Sequence, residues 1–104
     1  MKYLLIESKS PWDGVGVGAF YDLARELGRA GNDVTLFLVQ NGVLPARKNC
    51  KPAVPELGGV HVLADAFSLR ERAIGAQDVA AGIEVVGMER VVDLLAAGAK
   101  AVWH

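Results

Sequence analysis

Apolar and polar residues follow one another along this chain in short blocks of two kinds. Some blocks are continuous apolar runs, and others repeat apolar residues every three or four positions. Runs of this length predict buried strands, whereas the repeats predict amphipathic helices. The predicted strands span residues 3–6, 33–39, 60–64, 83–86 and 100–103.

Helical spacing appears between the predicted strands. The first helix has an apolar face made of Phe20, Leu23, Ala24, Leu27 and Ala30. Gly31 and Asn32 predict its end, since such residues commonly stop helices. A second helix is predicted over 66–74, closed by Gly75, and a third contains Met88 to Leu95 and stops at Gly98.

The alternation of strands and helices predicts an α/β fold. We expect one domain, residues 1–104, with a five-stranded, mainly parallel sheet and helices on both faces. The short strands and helices fit a layered structure of the flavodoxin-like or Rossmann-like type. Residues 43–47 read as a helical turn, and residues 48–59, which contain two prolines and two glycines, read as a long loop.

The composition adds an expectation about assembly. Hydrophobic residues make up 52% of the 104 residues, and the mean hydropathy is +0.27. A soluble domain of this size normally exposes much polar surface. The apolar excess therefore predicts that part of the surface is buried against other copies of the chain.

Charge and cysteine content exclude several classes of protein. With 11 basic and 12 acidic residues, the chain has no electrostatic footprint for nucleic acid or an anionic membrane. No apolar run is long enough for a transmembrane helix, and the first residues do not read as a signal peptide. The single cysteine, Cys50, forms no intrachain disulfide, which favours a reducing, cytoplasmic setting.

No cofactor or metal is predicted. His61, His104 and Cys50 are too far apart in sequence to give the spacing of a metal site, and His104 is expected to be frayed. The glycine-rich loop 14–18 precedes a helix, where free N–H groups suit anions. Its glycine spacing departs from the dinucleotide fingerprint, so we favour Asp13 as the helix N-cap.

Polar residues follow the predicted strands at their carboxyl ends. Glu7, Asn41, Asp65 and Ser68 are expected along one rim, where they line a ligand pocket or are simply solvated. Asp65 is either an N-cap or a pocket carboxylate that binds a ligand or acts as a base. Arg72 lies seven positions after Asp65 and is a candidate ligand-binding residue of the same group, as well as a candidate partner for Asp65.

Cys50 is the candidate catalytic residue. It lies between Lys48 and Lys51, with Arg47 nearby, and positive neighbours favour the thiolate form of a cysteine. The alternative is an incidental cysteine in a variable loop.

Several segments, in this order, carry a family resemblance. They are Asn41-Gly42-Val43 with Ala46, then Leu69 with Arg72, then Gly82 to Gly87, Val91 to Leu95 and Ala99 to His104. In these positions the chain resembles the DsrE/DsrF-like sulfur-relay family, which includes TusD-type subunits. The resemblance implies a five-stranded α/β subunit that assembles into homotrimers or hexamers, and a partner protein in sulfur relay.

The resemblance also implies where sulfur would be carried. Active members have a cysteine seven residues before the arginine that corresponds to Arg72, and that position is Asp65 here. A second family cysteine falls on Ser68. A carboxylate cannot form the sulfur–sulfur bond of a persulfide.

We therefore expect a DsrE-like protein associated with sulfur metabolism, without standard persulfide transfer at the family site. Cys50 is the only residue left to accept sulfur. The alternative is a non-catalytic oligomeric assembly or regulatory subunit that binds a partner or small ligand at the rim. A hydrolase or isomerase with Asp65 as base ranks last, because no nucleophile accompanies it.

Overall fold

The computed structural model describes the whole chain, residues 1–104, and contains one five-stranded sheet. The strands are β1 (Lys2–Glu7), β2 (Asp33–Leu38), β3 (His61–Asp65), β4 (Ile83–Val86) and β5 (Lys100–Trp103). They lie in the order β4-β3-β2-β1-β5, and every pairing is parallel. The predicted α/β fold with a parallel sheet is confirmed.

Helices cover both faces of the sheet unequally. The α-helices are α1 (Val17–Arg29), α2 (Ala66–Glu71) and α3 (Glu89–Ala96), with 3-10 helices at Gln40–Ala46 and Ala76–Asp78. The larger core contains buried residues of α1, α2 and the first 3-10 helix, whereas the smaller core has only α3 over the sheet. None of these helices is long and apolar enough to cross a membrane.

The order of the strands creates one switch in the direction of winding. From β1 to β4 the chain moves steadily across the sheet, and its connecting helices pack into the larger core. After β4 the chain crosses the opposite face through α3 and returns to the far side of β1 as β5. In open α/β sheets, ligands bind outside the carboxyl ends of the strands at such a switch.

Of two helix ends predicted from the sequence, the end of α2 differs in the structure and the end of α1 agrees with it. α2 ends at Glu71 and not at residue 74, because Ala73 takes a left-handed φ of 56° and the Leu69 carbonyl accepts hydrogen bonds from the N–H groups of Arg72 and Ile74. The predicted stop of α1 is confirmed, since Gly31 has a φ of 92° and the Asn32 N–H donates to the Leu27 carbonyl.

Candidate functional site

At the carboxyl end of β3, Asp65 and Ser68 form a closed pair. Each is only 3% exposed. Oδ2 of Asp65 accepts hydrogen bonds from the backbone N–H of Ser68 at 3.0 Å and from its hydroxyl at 2.7 Å. The Ser68 hydroxyl in turn accepts from the Gln40 N–H at 2.8 Å. Asp65 is therefore the N-cap of α2, and the pair joins β3 to the segment after β2.

Arg72 bonds to Asn41 and not to Asp65, so the predicted Asp65–Arg72 pair is absent. Its Nε and Nη2 donate to Oδ1 of Asn41 at 3.0 and 2.9 Å, and Nη1 donates to the Ser68 carbonyl at 3.1 Å. Because α2 ends at Glu71, Arg72 lies beyond the helix and its side chain bridges towards the end of β2. Three predicted rim residues, Asn41, Asp65 and Ser68, are thus brought into one network with Arg72.

Glu7 does not join that network, although it lies on the same rim. The register places Glu7 beside Leu38 and Leu38 beside Ala64, so Glu7 and Ala64 share a face of the sheet. Asp65 is one residue further on and therefore points to the other face. The expectation that Glu7 lies with Asp65 and Ser68 in one pocket is wrong for this reason.

The carboxylate of Glu7 is fully buried and pairs with His104. Its two oxygens lie 2.8 and 2.9 Å from Nδ1 of the imidazole. Oε2 also accepts the Lys9 N–H at 3.2 Å. The expectation that Glu7 is a solvated strand end is therefore wrong.

His104 is fixed in place, so the expectation that it is frayed is wrong as well. Its N–H donates to the Ile6 carbonyl at 2.9 Å, and its carbonyl accepts from the Ser8 N–H at 3.1 Å and from the Ser8 hydroxyl at 2.8 Å. The ring stacks on Phe20 of α1, with centroids 5.2 Å apart. These contacts extend the pairing of β5 with β1 past Trp103.

Tyr21 is a buried residue that the sequence did not single out. It lies on α1, is 4% exposed, and its hydroxyl is buried without a hydrogen-bond partner. Burial, together with the nearby negative charges of Glu7 and Cys50, raises the pKa of Tyr21 far above its ordinary value. Its hydroxyl therefore stays protonated and remains a free donor.

Asp13 has a different role from the predicted one. α1 begins at Val17 with Gly16 at the N-cap position, and no side chain caps it. Asp13 instead accepts the Ser10 N–H at 2.7 Å, and Nδ2 of Asn41 donates to it at 3.4 Å. The hydrogen bonds from Ser10 lower the pKa of Asp13. Asp13 closes the loop after β1 and leaves the first amides of α1 uncapped.

Cys50 lies apart from both groups, in the loop before β3. It is half-buried, and Nη2 of Arg47 lies 3.5 Å from its Sγ. The two side chains belong to an open pocket of about 310 Å³, whose other lining residues are Trp12, Lys48, Asn49 and Lys51. Three cationic side chains therefore line the same pocket as the thiol. Nowhere do three or more His, Cys, Asp or Glu side chains lie close enough to hold a metal ion.

Solved structures with the same fold exist, although no family model and no curated protein matches the sequence. The protein of unknown function MTH1491 from Methanobacterium thermoautotrophicum superposes with a TM-score of 0.84 at 19% identity, over 99% of this chain and 98% of that one. The ychN protein from E. coli superposes with a TM-score of 0.80 at 18% identity, over the full length of both chains.

Both neighbours have the DsrE/DsrF-like fold, and identities this low show the fold alone. The resemblance noted in the sequence is confirmed at that level. The chain therefore has the DsrE-like α/β fold.

Proposed function

We propose that this protein is a DsrE-like component of sulfur metabolism in which the end of β3 carries no sulfur. Asp65 and Ser68 fill the two positions where thiols would be needed, and both are buried and bonded to each other. Their geometry supports a structural role, since the pair caps α2 and fixes Gln40. A cytoplasmic location and a sulfur-relay partner, of the DsrE/DsrF or TusD type, belong to the same proposal.

The setting of Cys50 supports a displaced sulfur acceptor. Arg47 contacts Sγ, and the pocket is open and lined by Lys48 and Lys51, so an anionic sulfur would be stabilised there. In the transfer, the Cys50 thiolate attacks the outer sulfur of a donor persulfide. A new sulfur–sulfur bond forms on Cys50, the donor's sulfur–sulfur bond breaks, and the donor leaves as a thiolate.

Intact mass spectrometry tests this acceptor directly. After incubation with a small-molecule persulfide donor, the native chain is expected to gain one sulfur atom in mass. The adduct should disappear with dithiothreitol and should not form on Cys50→Ser. Absence of an adduct on the native chain would rule out the acceptor role.

Two single substitutions in the same loop sharpen that test. Arg47→Gln removes the guanidinium that contacts Sγ, and uptake is expected to slow several-fold. Lys48→Gln removes a charge from the same pocket without removing a hydrogen bond to the thiol, and should slow uptake less. Equal rates for the two variants would show that Arg47 has no specific role.

A non-catalytic assembly subunit is the second candidate, and one surface favours it. Met88, Val92 and Leu95 lie at helical spacing on the outer side of α3, and they are 50%, 61% and 47% exposed. Trp103, on the neighbouring edge strand β5, is 65% exposed. Exposed apolar groups of this kind, beside a strand edge with free backbone groups, suit a second copy of the chain. Trimers and hexamers follow from the family resemblance.

Light scattering after size exclusion tests this assembly. We expect the native chain to elute as a trimer or hexamer, and Val92→Asp to shift the population towards an 11.0 kDa monomer. Val15→Asp is the matched control, because Val15 is 94% exposed in a loop and its charge should leave the assembly intact. A native monomer at micromolar concentration would contradict the proposal.

A further inference from the structure

The pair formed by Glu7 and His104 lies at the switch in winding between β1 and β5. Glu7 is the last residue of β1, and His104 follows the last residue of β5. Their side chains meet where an open α/β sheet places its ligands. Neither residue takes part in the network around Asp65 or in the pocket of Cys50.

The buried carboxylate determines which ring nitrogen of His104 carries a proton. An ionised carboxylate can only accept hydrogen bonds, and both its oxygens lie within 2.9 Å of Nδ1. With Glu7 ionised, Nδ1 is the donor, which fixes the orientation and the tautomer of the ring. This is the arrangement by which an acid orients a histidine for proton transfer at its other nitrogen.

The other nitrogen, Nε2, has no hydrogen-bond partner in the protein and lies against the start of α1. A Cβ built on Gly16 would lie 3.0 Å from it, so the glycine leaves room for the ring edge. Gly16 is the N-cap of a 13-residue helix without a side-chain cap. The His104 side chain is 27% exposed, so it is partly open to solvent.

A free donor is buried on α1, the helix whose Phe20 stacks on His104. The Tyr21 hydroxyl has no hydrogen-bond partner, and the charge of Glu7 contributes to its raised pKa. Unsatisfied buried polar groups are uncommon, and groups with a strongly shifted pKa are frequent at sites that do chemistry.

We propose that Glu7 and His104 form an acid–base site for a small protonated oxyanion. Nε2 takes the proton from the oxygen of the bound oxyanion, whose O–H bond electrons stay on that oxygen. The product is an imidazolium paired with Glu7 on one side and with the deprotonated oxyanion on the other. The uncapped N–H groups at the start of α1 add donors for the anion. This site does not depend on thiol chemistry at Cys50.

Nitrogen NMR of the two histidine rings in the ¹⁵N-labelled full chain tests the proposal. Phosphate and sulfite are added at constant ionic strength, with chloride and sulfate as reference anions. On addition of phosphate or sulfite, Nε2 of His104 should move saturably from the shift of a bare ring nitrogen to that of an N–H. His61 is the internal control, since it is exposed and lies 3.7 Å from Asp33.

Variants of the two nearby glycines separate a specific site from general salt effects. Gly16→Ala places a methyl group against Nε2, at a φ of 101° that also strains an alanine, and should weaken the response several-fold, whereas Gly18→Ala meets no atom within 4 Å and should not. His104→Gln should abolish anion binding, which is followed in this variant through the NMR signals of the α1 backbone amides. No saturable change at His104, or the same change at His61, would overturn the proposal. If sulfate protonates Nε2 of His104 to the same extent as phosphate or sulfite, the proton-transfer step is overturned.

Discussion

Replacement of Gly42 by alanine is expected to lower the free energy of unfolding by about 3 kcal/mol or more. A Cβ at this position would overlap the carbonyl oxygen of Glu7, which is backbone and cannot swing aside. That carbonyl accepts the Val39 N–H at 3.0 Å, so movement of either segment breaks a hydrogen bond between β1 and the end of β2. Chemical denaturation of the purified variant, followed by circular dichroism, measures the effect.

Gly59→Ala is the matched control for this substitution. An added Cβ at Gly59 meets no atom within 4 Å, and the residue has no positive φ. The loss of chain entropy in the unfolded state should make this variant equally stable or more stable by up to about 1 kcal/mol. Similar destabilisation of both variants would show that the close approach of Gly42 to β1 does not cause the loss of stability.

Removal of the carboxylate of Asp65 has the second large effect. Asp65→Ala is expected to cost about 2–4 kcal/mol, because it removes a helix cap and leaves the buried Ser68 N–H and hydroxyl without their acceptor. Asp65→Asn keeps an oxygen that can accept both bonds and should cost about 1 kcal/mol or less. Denaturation midpoints of the two variants, measured at one pH, give the comparison.

The pair of variants also decides between a structural and a chemical role for Asp65. A structural role predicts that both variants take up sulfur at Cys50 as the native chain does. Loss of uptake in Asp65→Asn, with stability retained, would show that the carboxylate takes part in chemistry. A double-mutant cycle with Ser68→Ala should show strong coupling, since the two side chains share their hydrogen bonds.

The centre of the sheet was predictable from the sequence because β1, β2 and β3 are buried on both faces. Leu36 and Phe37 of β2, for example, face different cores and are both fully buried, so the strand reads as an unbroken apolar run. The end of α2 was not predictable, since the left-handed conformation of Ala73 is one that no local signal announces. That error extended the helix and made an Asp65–Arg72 pair plausible.

The pairing of Glu7 with His104 escaped prediction for a different reason. It depends on β5 lying beside β1, and alternation of strands and helices does not fix the order of strands in the sheet. Once that order is known, the register gives the answer, because Ile6 pairs with Trp103 and the next residues on each strand are neighbours. Cys50 and its cationic neighbours were predicted correctly to lie together because they are close to one another in the sequence.

The separation of Glu7 and His104 along the chain has a consequence for folding. The two residues are 97 positions apart, so their contact is among the slowest to be closed by a diffusing chain. Until β5 docks, the Glu7 carboxylate lacks its imidazole and the edge of β1 is open. The signal of a protonated Nδ1 on His104 is therefore a marker of completed folding, and in refolding experiments it should appear with or after the hydrogen-exchange protection of β1, β2 and β3.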